Sequence, residues 1–222
     1  MNFRAVLFDL DGTLLDTLDD LADSANLALR RLGLPEHAAE AYKLFVGNGI
    51  ENLVRRAVPE NRRDAATLAE CLKLTRENYA ARWAEKTRPY EGVPQLLDAL
   101  TARDMSMAVF SNKPEDFTRL CVERLLATWH FEIVLGATPA LPKKPDPAGA
   151  HEIARHFQLP PAEVLYLGDT DTDMQTAVAA GMFPVGALWG FRDAKELTAS
   201  GARVLIERPL DLLPLLDGAA VG

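Results

Sequence analysis

The chain has 222 residues, with 24 Lys and Arg against 32 Asp and Glu, 48% hydrophobic residues and 25% charged ones. At about 150 residues per domain this is one large domain or one domain with an inserted part, long enough to bury a core without disulfides, and its composition excludes a disordered chain, a fibre and a disulfide scaffold. The net charge of −8 argues against a nucleic-acid or anionic-membrane surface, which needs a basic face, but leaves room for a local anion site built from a metal, one or two lysines and helix N-termini.

Arg4 to Leu10 is short, apolar and partly branched, and Asp11-Gly12 follows, so it reads as a buried strand ending in a turn. Thr17 is placed to cap a helix whose first turn holds Asp19 and Asp20, with Gly33 and Pro35 as its stop. Residues 36 to 86 contain no strand-like run. Helices are expected over Pro35 to Leu44, Ile50 to Val58 and Asp64 to Lys86, separated by Gly47-Asn48-Gly49 and by Pro59.

After a linker from Pro89 to Pro94 the grammar changes. Helices are expected over Pro94 to Ala102, Pro114 to Leu126, Pro147 to Phe157, Asp171 to Ala180 and Ala194 to Ser200. Strands are expected over Met105 to Phe110, Glu132 to Leu135, Val164 to Leu167, Phe183 to Leu188 and Arg203 to Ile206. Alternating strands and helices predict a doubly wound α/β core with a parallel sheet, formed by residues 1–15 and 88–222, and the helical block 16–87 is an inserted cap. Ligands of such sheets sit outside the carboxyl ends of the strands, so the residues just after each strand matter most.

Asp9 and Asp11 are two apart at a strand end and project to one side. Two carboxylates held close repel unless a cation or a proton intervenes; the bland alternative is a solvated Asp-Gly turn. Asp169 and Asp173 are one helical turn apart at a strand-to-helix junction, with Asp171 between them. Capping explains one acid there well and three in five residues less well, unless a divalent cation is near. Oxygen-only ligands favour a hard cation such as Mg²⁺. Ser111-Asn112 offers a hydroxyl and backbone N–H groups at a helix start, which can hold a phosphate oxygen, though taken alone it reads first as an ordinary N-cap. Lys144, in Lys143-Lys144-Pro145-Asp146-Pro147, is a phosphate-binding point charge or a plain surface lysine.

Together these four elements, in this order and each after its own strand, resemble the haloacid dehalogenase-like phosphohydrolase superfamily. Val46-Gly47-Asn48-Gly49, Ser111-Asn112-Lys113-Pro114 and Trp189-Gly190-Phe191 resemble its bacterial phosphoglycolate phosphatase family. The resemblance implies Asp9 as nucleophile and Asp11 as proton donor and acceptor. It implies Mg²⁺ on the Asp9 side chain, the Asp11 carbonyl and Asp169, with Asp173 supporting it directly or through water, and Ser111 and Lys144 on the phosphoryl oxygens. Thr13 and Asn112 would lie beside the substrate. Gly47-Asn48-Gly49 would be either the cap's contact loop or an ordinary helix-to-helix turn. The implied reaction is hydrolysis of 2-phosphoglycolate. Another small phosphomonoester, pyrophosphate or a sugar phosphomutase reaction is the alternative.

The implied partner is a small phosphorylated metabolite, with no nucleic acid and no membrane, and the chain is expected as a monomer or weak homodimer. Cys71 and Cys121 lack CxxC spacing and read as buried free thiols of a reducing compartment. His37, His130, His151 and His156 lack metal-ligand spacing, and Trp83 and Trp129 read as packing. No apolar run nears the ~20 residues of a membrane span, and Asp9 interrupts any signal-peptide pattern. The expected location is the cytoplasm.

Overall fold

The computed structural model describes residues 2–217. The chain divides into two compact units, residues 1–15 with 89–222 and residues 16–88. Among the described residues no helix is long and apolar enough to cross a membrane.

The first unit is built on β1 (Ala5–Phe8), whose four side chains are all buried. A strand apolar on both faces belongs in the middle of a covered parallel sheet, and that is its place. Six strands are parallel in the order β5-β4-β1-β6-β7-β8. They are β4 (Ser106–Pro114), β5 (Ile133–Ala137), β6 (Val164–Gly168), β7 (Phe183–Ala187) and β8 (Val204–Ile206) beside β1. The connecting helices are α4 (Val93–Thr101), α5 (Glu115–Leu125), α6 (Ala148–Phe157), α7 (Asp171–Ala180) and α8 (Ala194–Ala199), with the short α9 (Leu213–Leu216) at the end. Leu7, Phe110, Tyr166, Ile153 and Ala177 share one buried cluster, so β1, β4, β6, α6 and α7 pack as one layer pair. The strand order reverses around β1, and the carboxyl ends of β4, β1 and β6 lie side by side there.

The chain leaves this unit through the two-residue strand β2 (Leu15–Asp16) and returns through β3 (Arg88–Pro89). The second unit holds α1 (Leu18–Arg31), α2 (Ile50–Ala57) and α3 (Ala65–Arg82). Asp64 caps α3 by accepting from Thr67 N at 2.9 Å. The buried Asp20 carboxylate accepts from Lys86 N, Thr87 N and the Thr87 hydroxyl, which fixes the end of this unit to the start of α1. Gly33 takes a positive φ of 65° just past α1, as a C-terminal stop requires.

The structure corrects several sequence expectations. Thr17 stands at the N-cap of α1 but makes no capping bond, and its buried hydroxyl has no partner among the described residues. Pro35 to Leu44 is not an α-helix; only Ala39–Leu44 coils, as a 3₁₀ segment. Residues 35–38 form no regular element, and Ala38 is extended, because the Asn26 amide both accepts from His37 N and donates to His37 O. The helix after Asp64 stops at Arg82 rather than Lys86. β4 runs four residues further than expected, so Ser111 and Asn112 lie in the strand and not at the start of α5.

Candidate active site

The loop after β1 is tightly wound. Leu14 N and Leu15 N both donate to Leu10 O, and Gly12 N donates to Leu15 O at 2.9 Å, with Gly12 at φ 88°. Trp189 Nε1 donates to Thr13 O at 3.0 Å and closes the loop from the β7 side. Asp9 leaves the sheet with its N–H still donating to Leu167 O of β6 at 3.0 Å. Its carboxylate accepts from Leu10 N at 2.7 Å and is nearly buried.

Asp169 and Asp173 meet Asp9 from β6 and α7. One carboxylate oxygen from each of the three lies within 4.8 Å of the others. Asp169 is held from two sides, by the Thr13 hydroxyl at 2.7 Å and by Phe191 N at 2.8 Å. A Cβ on Gly12 or on Gly190 would overlap its carboxylate, so both glycines form a cradle that only hydrogen fits. Asp173 does the capping work that the sequence also allowed. Its Oδ2 accepts from Thr170 N at 3.0 Å and from the Thr170 hydroxyl at 2.6 Å, completing a capping box on α7. Its Oδ1 is left for the site. Asp171 sits in the first turn of α7 outside this cluster.

Lys144 is buried at 4% exposure, not a surface lysine. Its ammonium lies 2.6 Å from Asp173 Oδ1, 2.9 Å from Asp9 Oδ1 and 3.0 Å from Phe110 O. Asn112 sets its backbone: Lys144 N donates to Asn112 Oδ1 at 2.9 Å, and Asn112 Nδ2 donates to Lys144 O at 3.1 Å. Ser111 is buried at the end of the same strand, accepting from Lys113 N at 3.2 Å.

The electrostatics follow from burial. Desolvation, then the nearby Asp173 charge, pushes the Asp9 carboxyl up from 3.8 to about 7. Burial, with Asp9 and Asp173 beside it, also raises Asp169 well above the carboxylate range. Burial works against a charged Lys144, but Asp173 and Asp9 hold it charged, well above the ordinary ammonium value. Repulsion and burial make the metal-free cluster hold protons; once all three carboxylates ionise, one ammonium leaves two negative charges uncompensated, which is the charge of one divalent cation. The donors are all oxygens, as a hard cation requires. The residues present therefore fit a metal of the Mg²⁺ kind.

The structure brings together Asp9, Asp169, Asp173 and Lys144, with Ser111 on the neighbouring strand. It places two expected substrate contacts differently. The Thr13 hydroxyl is spent on Asp169, and the Asn112 amide on the Lys144 backbone. The Asp11 carboxylate turns to Lys113. Gly47, Asn48 and Gly49 belong to the helical unit, where Gly47 and Gly49 both have positive φ and Asn48 Oδ1 accepts from Arg56 Nη2 at 2.6 Å.

Sequence reading quoted Lys113, Thr170 and Phe191 only within motifs, without giving them a role, and missed Tyr166. Tyr166 donates its hydroxyl to Asp173 Oδ1 at 3.3 Å from inside an apolar strand. Thr170 alone carried a signal, as the first residue of a Thr-x-x-Asp capping box. His37 is structural, with Nε2 against Ala57 O at 2.7 Å and its ring against Tyr42 and Phe45. Both cysteines are buried free thiols.

Residues 6–187 match the family model described as haloacid dehalogenase-like hydrolase. The chain is 30% identical over 98% of its length to a phosphoglycolate phosphatase of Aquifex aeolicus, covering 99% of that protein. It is 35% identical over 98% of its length to a phosphoglycolate phosphatase of Pseudomonas putida, covering 80% of that protein. A crystal structure from Lactobacillus delbrueckii subsp. bulgaricus superposes with a TM-score of 0.91 at 28% identity, over 97% of this chain and 99% of that one. With the acidic cluster at the carboxyl ends of β1 and β6 and the lysine beside it, the chain belongs to the haloacid dehalogenase-like hydrolase family.

Proposed function

We propose that this protein is a Mg²⁺-dependent phosphomonoesterase that works through an aspartyl-phosphate on Asp9 and hydrolyses 2-phosphoglycolate. The observation that carries the reading is the buried cluster of Asp9, Asp169 and Asp173 around Lys144. A carboxylate held among that much negative charge serves as a nucleophile toward an anion only where cations balance it.

Asp9, Asp169 and Asp173, with the main-chain carbonyl of Asp11, would hold the metal. When bound, a divalent cation supplies the missing charge and polarises the phosphoryl oxygens. Asp9 attacks phosphorus, and the ester oxygen leaves with the bonding pair. Asp11 enters this step carrying a proton and gives it to that oxygen, since an alkoxide leaves poorly without one. Asp11 then takes a proton from the water that attacks the aspartyl-phosphate, and Asp9 is freed with inorganic phosphate. Lys144 keeps Asp9 oriented and, with Ser111, stabilises charge on the phosphoryl oxygens. Thr13 and Asn112 act one step back, as the supports of Asp169 and of the Lys144 backbone.

The substrate reading is supported by the names of the Aquifex aeolicus and Pseudomonas putida relatives, which match nearly the whole chain. The test is phosphate release over a panel of small phosphomonoesters, with and without EDTA, and acid-quench trapping of phosphoenzyme. Phosphoglycolate should have the highest kcat/KM, and Asp9→Asn should abolish both turnover and trapped phosphate. A preference of about tenfold or more, some 1.4 kcal/mol, for a sugar phosphate or pyrophosphate replaces the substrate and keeps the phosphatase. Asn48→Ala tests the loop at Gly47 to Gly49. A loss on phosphoglycolate of about ten- to a hundredfold, the size of one hydrogen bond to a charged group, with little loss on p-nitrophenyl phosphate, assigns it to the carboxylate end.

A further inference from the structure

Each acid of the Asp9-Leu10-Asp11 segment faces a different lysine, the first shared with Asp173. Lys144 faces Asp9, and the ammonium of Lys113 stands 2.9 and 3.0 Å from the two oxygens of Asp11. The Lys113 and Asp11 side chains are only 3% and 13% exposed. Lys113 reaches over from β4 to the loop after β1, and its backbone is held at both ends. Its N–H donates to Ser111 Oγ at 3.2 Å, and its carbonyl accepts from the Thr118 hydroxyl at 3.1 Å. With that backbone held, the burial of the side chain is what keeps its flexible stem aimed at Asp11.

Loop stability alone is a poor reason for such a pair. Desolvating both charges offsets much of their attraction, and apolar residues of similar volume often hold a site as well. What the pair does provide is direction. Both Asp11 oxygens are tied to one donor, outside the cluster formed by Asp9, Asp169 and Asp173. An Asp11 side chain without that tie has several staggered rotamers open to it, and proton transfer needs the carboxyl within hydrogen-bond reach of the leaving oxygen.

We infer that Lys113 is a positioning residue for Asp11, fixing the direction from which its carboxyl gives a proton to the departing oxygen and takes one from the attacking water. This rests on the phosphomonoesterase reading above. Lys113 keeps its own protons throughout; the bonds made and broken are those of Asp11, the ester oxygen and water.

The test compares kcat/KM on two substrates that lack a carboxylate, ethyl phosphate and p-nitrophenyl phosphate. Only the first has a leaving group that needs the proton. Asp11→Asn should lower the ethyl-to-aryl ratio by about a hundredfold, the size of general acid catalysis. Lys113→Met should lower the same ratio by about tenfold or more, up to the loss seen with Asp11→Asn, and Lys113→Arg should restore most of it. The double variant Asp11→Asn/Lys113→Met removes both charges together, so no buried charge is stranded even if Lys113→Met alone folds poorly. Its ratio should match that of Asp11→Asn within about twofold, as for groups acting through one another.

Equal losses on both substrates for Lys113→Met, or a double variant well below Asp11→Asn, would overturn the inference and leave a structural ion pair. If Asp11→Asn itself leaves the ratio unchanged, the acid role of Asp11 falls and this inference with it. If Asp11→Asn lowers the ratio and Lys113→Met does not, only the inference fails.

Discussion

The Lys144 ammonium lies 2.6 Å from Asp173 Oδ1, with side-chain exposures of 2% and 0%. A pair this deep is worth most as compensation: remove one partner and the other charge is stranded. Lys144→Met should therefore destabilise the metal-free protein by about 3–5 kcal/mol, the cost of breaking a buried pair from one side. Added Mg²⁺ should recover part of that loss, because it supplies charge to the same cluster. Urea unfolding in EDTA and in Mg²⁺ measures both, and equal losses in the two conditions would mean that the cluster does not hold the metal.

Thr13 supports the site through one bond, from its hydroxyl to Asp169 Oδ1. Thr13→Val keeps the shape and removes the donor. One hydrogen bond to a charged group is worth about 1.5–3 kcal/mol, so Mg²⁺ affinity should fall by about ten- to a hundredfold. Calorimetric titration of the metal reads this directly. An unchanged metal affinity with lowered kcat would point to substrate contact instead.

The sequence carried these elements unevenly, for local reasons. β1 and α7 were legible because each has its signal in place: an apolar run into Asp-Gly for the first, acids one turn apart at a strand-to-helix junction for the second. The end of β4 was not legible, because Ser111, Asn112, Lys113 and Pro114 are polar or ring-locked and read as a turn. They stay in the strand through non-local bonds, such as the Asn112 amide on the Lys144 backbone, 32 residues away. The Lys113–Asp11 pair spans 102 residues and exists only once β4 lies beside β1. Tyr166 was hidden for the opposite reason, since in an apolar run it looks like core alone. The failed helix at Pro35 is likewise tertiary: the Asn26 amide claims the backbone that a helix would have used.

Gly190 offers a test of the cradle around Asp169. A methyl group there meets the Asp169 carboxylate, which Phe191 N holds from the next residue. Overpacking of this kind costs about 1–3 kcal/mol. Gly190→Ala should lower the melting temperature modestly and metal affinity sharply, because the atom displaced is a candidate ligand. A variant that melts earlier but binds Mg²⁺ normally would place the strain in the loop at Trp189 and not on Asp169.

The raised Asp9 carboxyl makes metal binding depend on pH. Burial and Asp173 move this group from 3.8 to about 7. In the metal-free protein the native state therefore holds a proton that the unfolded chain has already lost between those two values. By linkage, the stability contributed by this group is fully present below the unfolded value and is lost as pH rises through about 7. Metal needs the carboxylate, so it must displace that proton whenever the pH is below about 7. Apparent Mg²⁺ affinity should thus fall as pH is lowered from 8 to 6, on the order of a fewfold to tenfold, and binding at the low end should release protons. Calorimetry in two buffers of different ionisation enthalpy counts those protons. Asp9→Asn should bind metal more weakly and lose the share of this pH dependence that Asp9 contributes, leaving the share of the raised Asp169 carboxyl. A wild-type affinity flat across the range, with no proton release, would show that Asp9 is already ionised when the metal arrives.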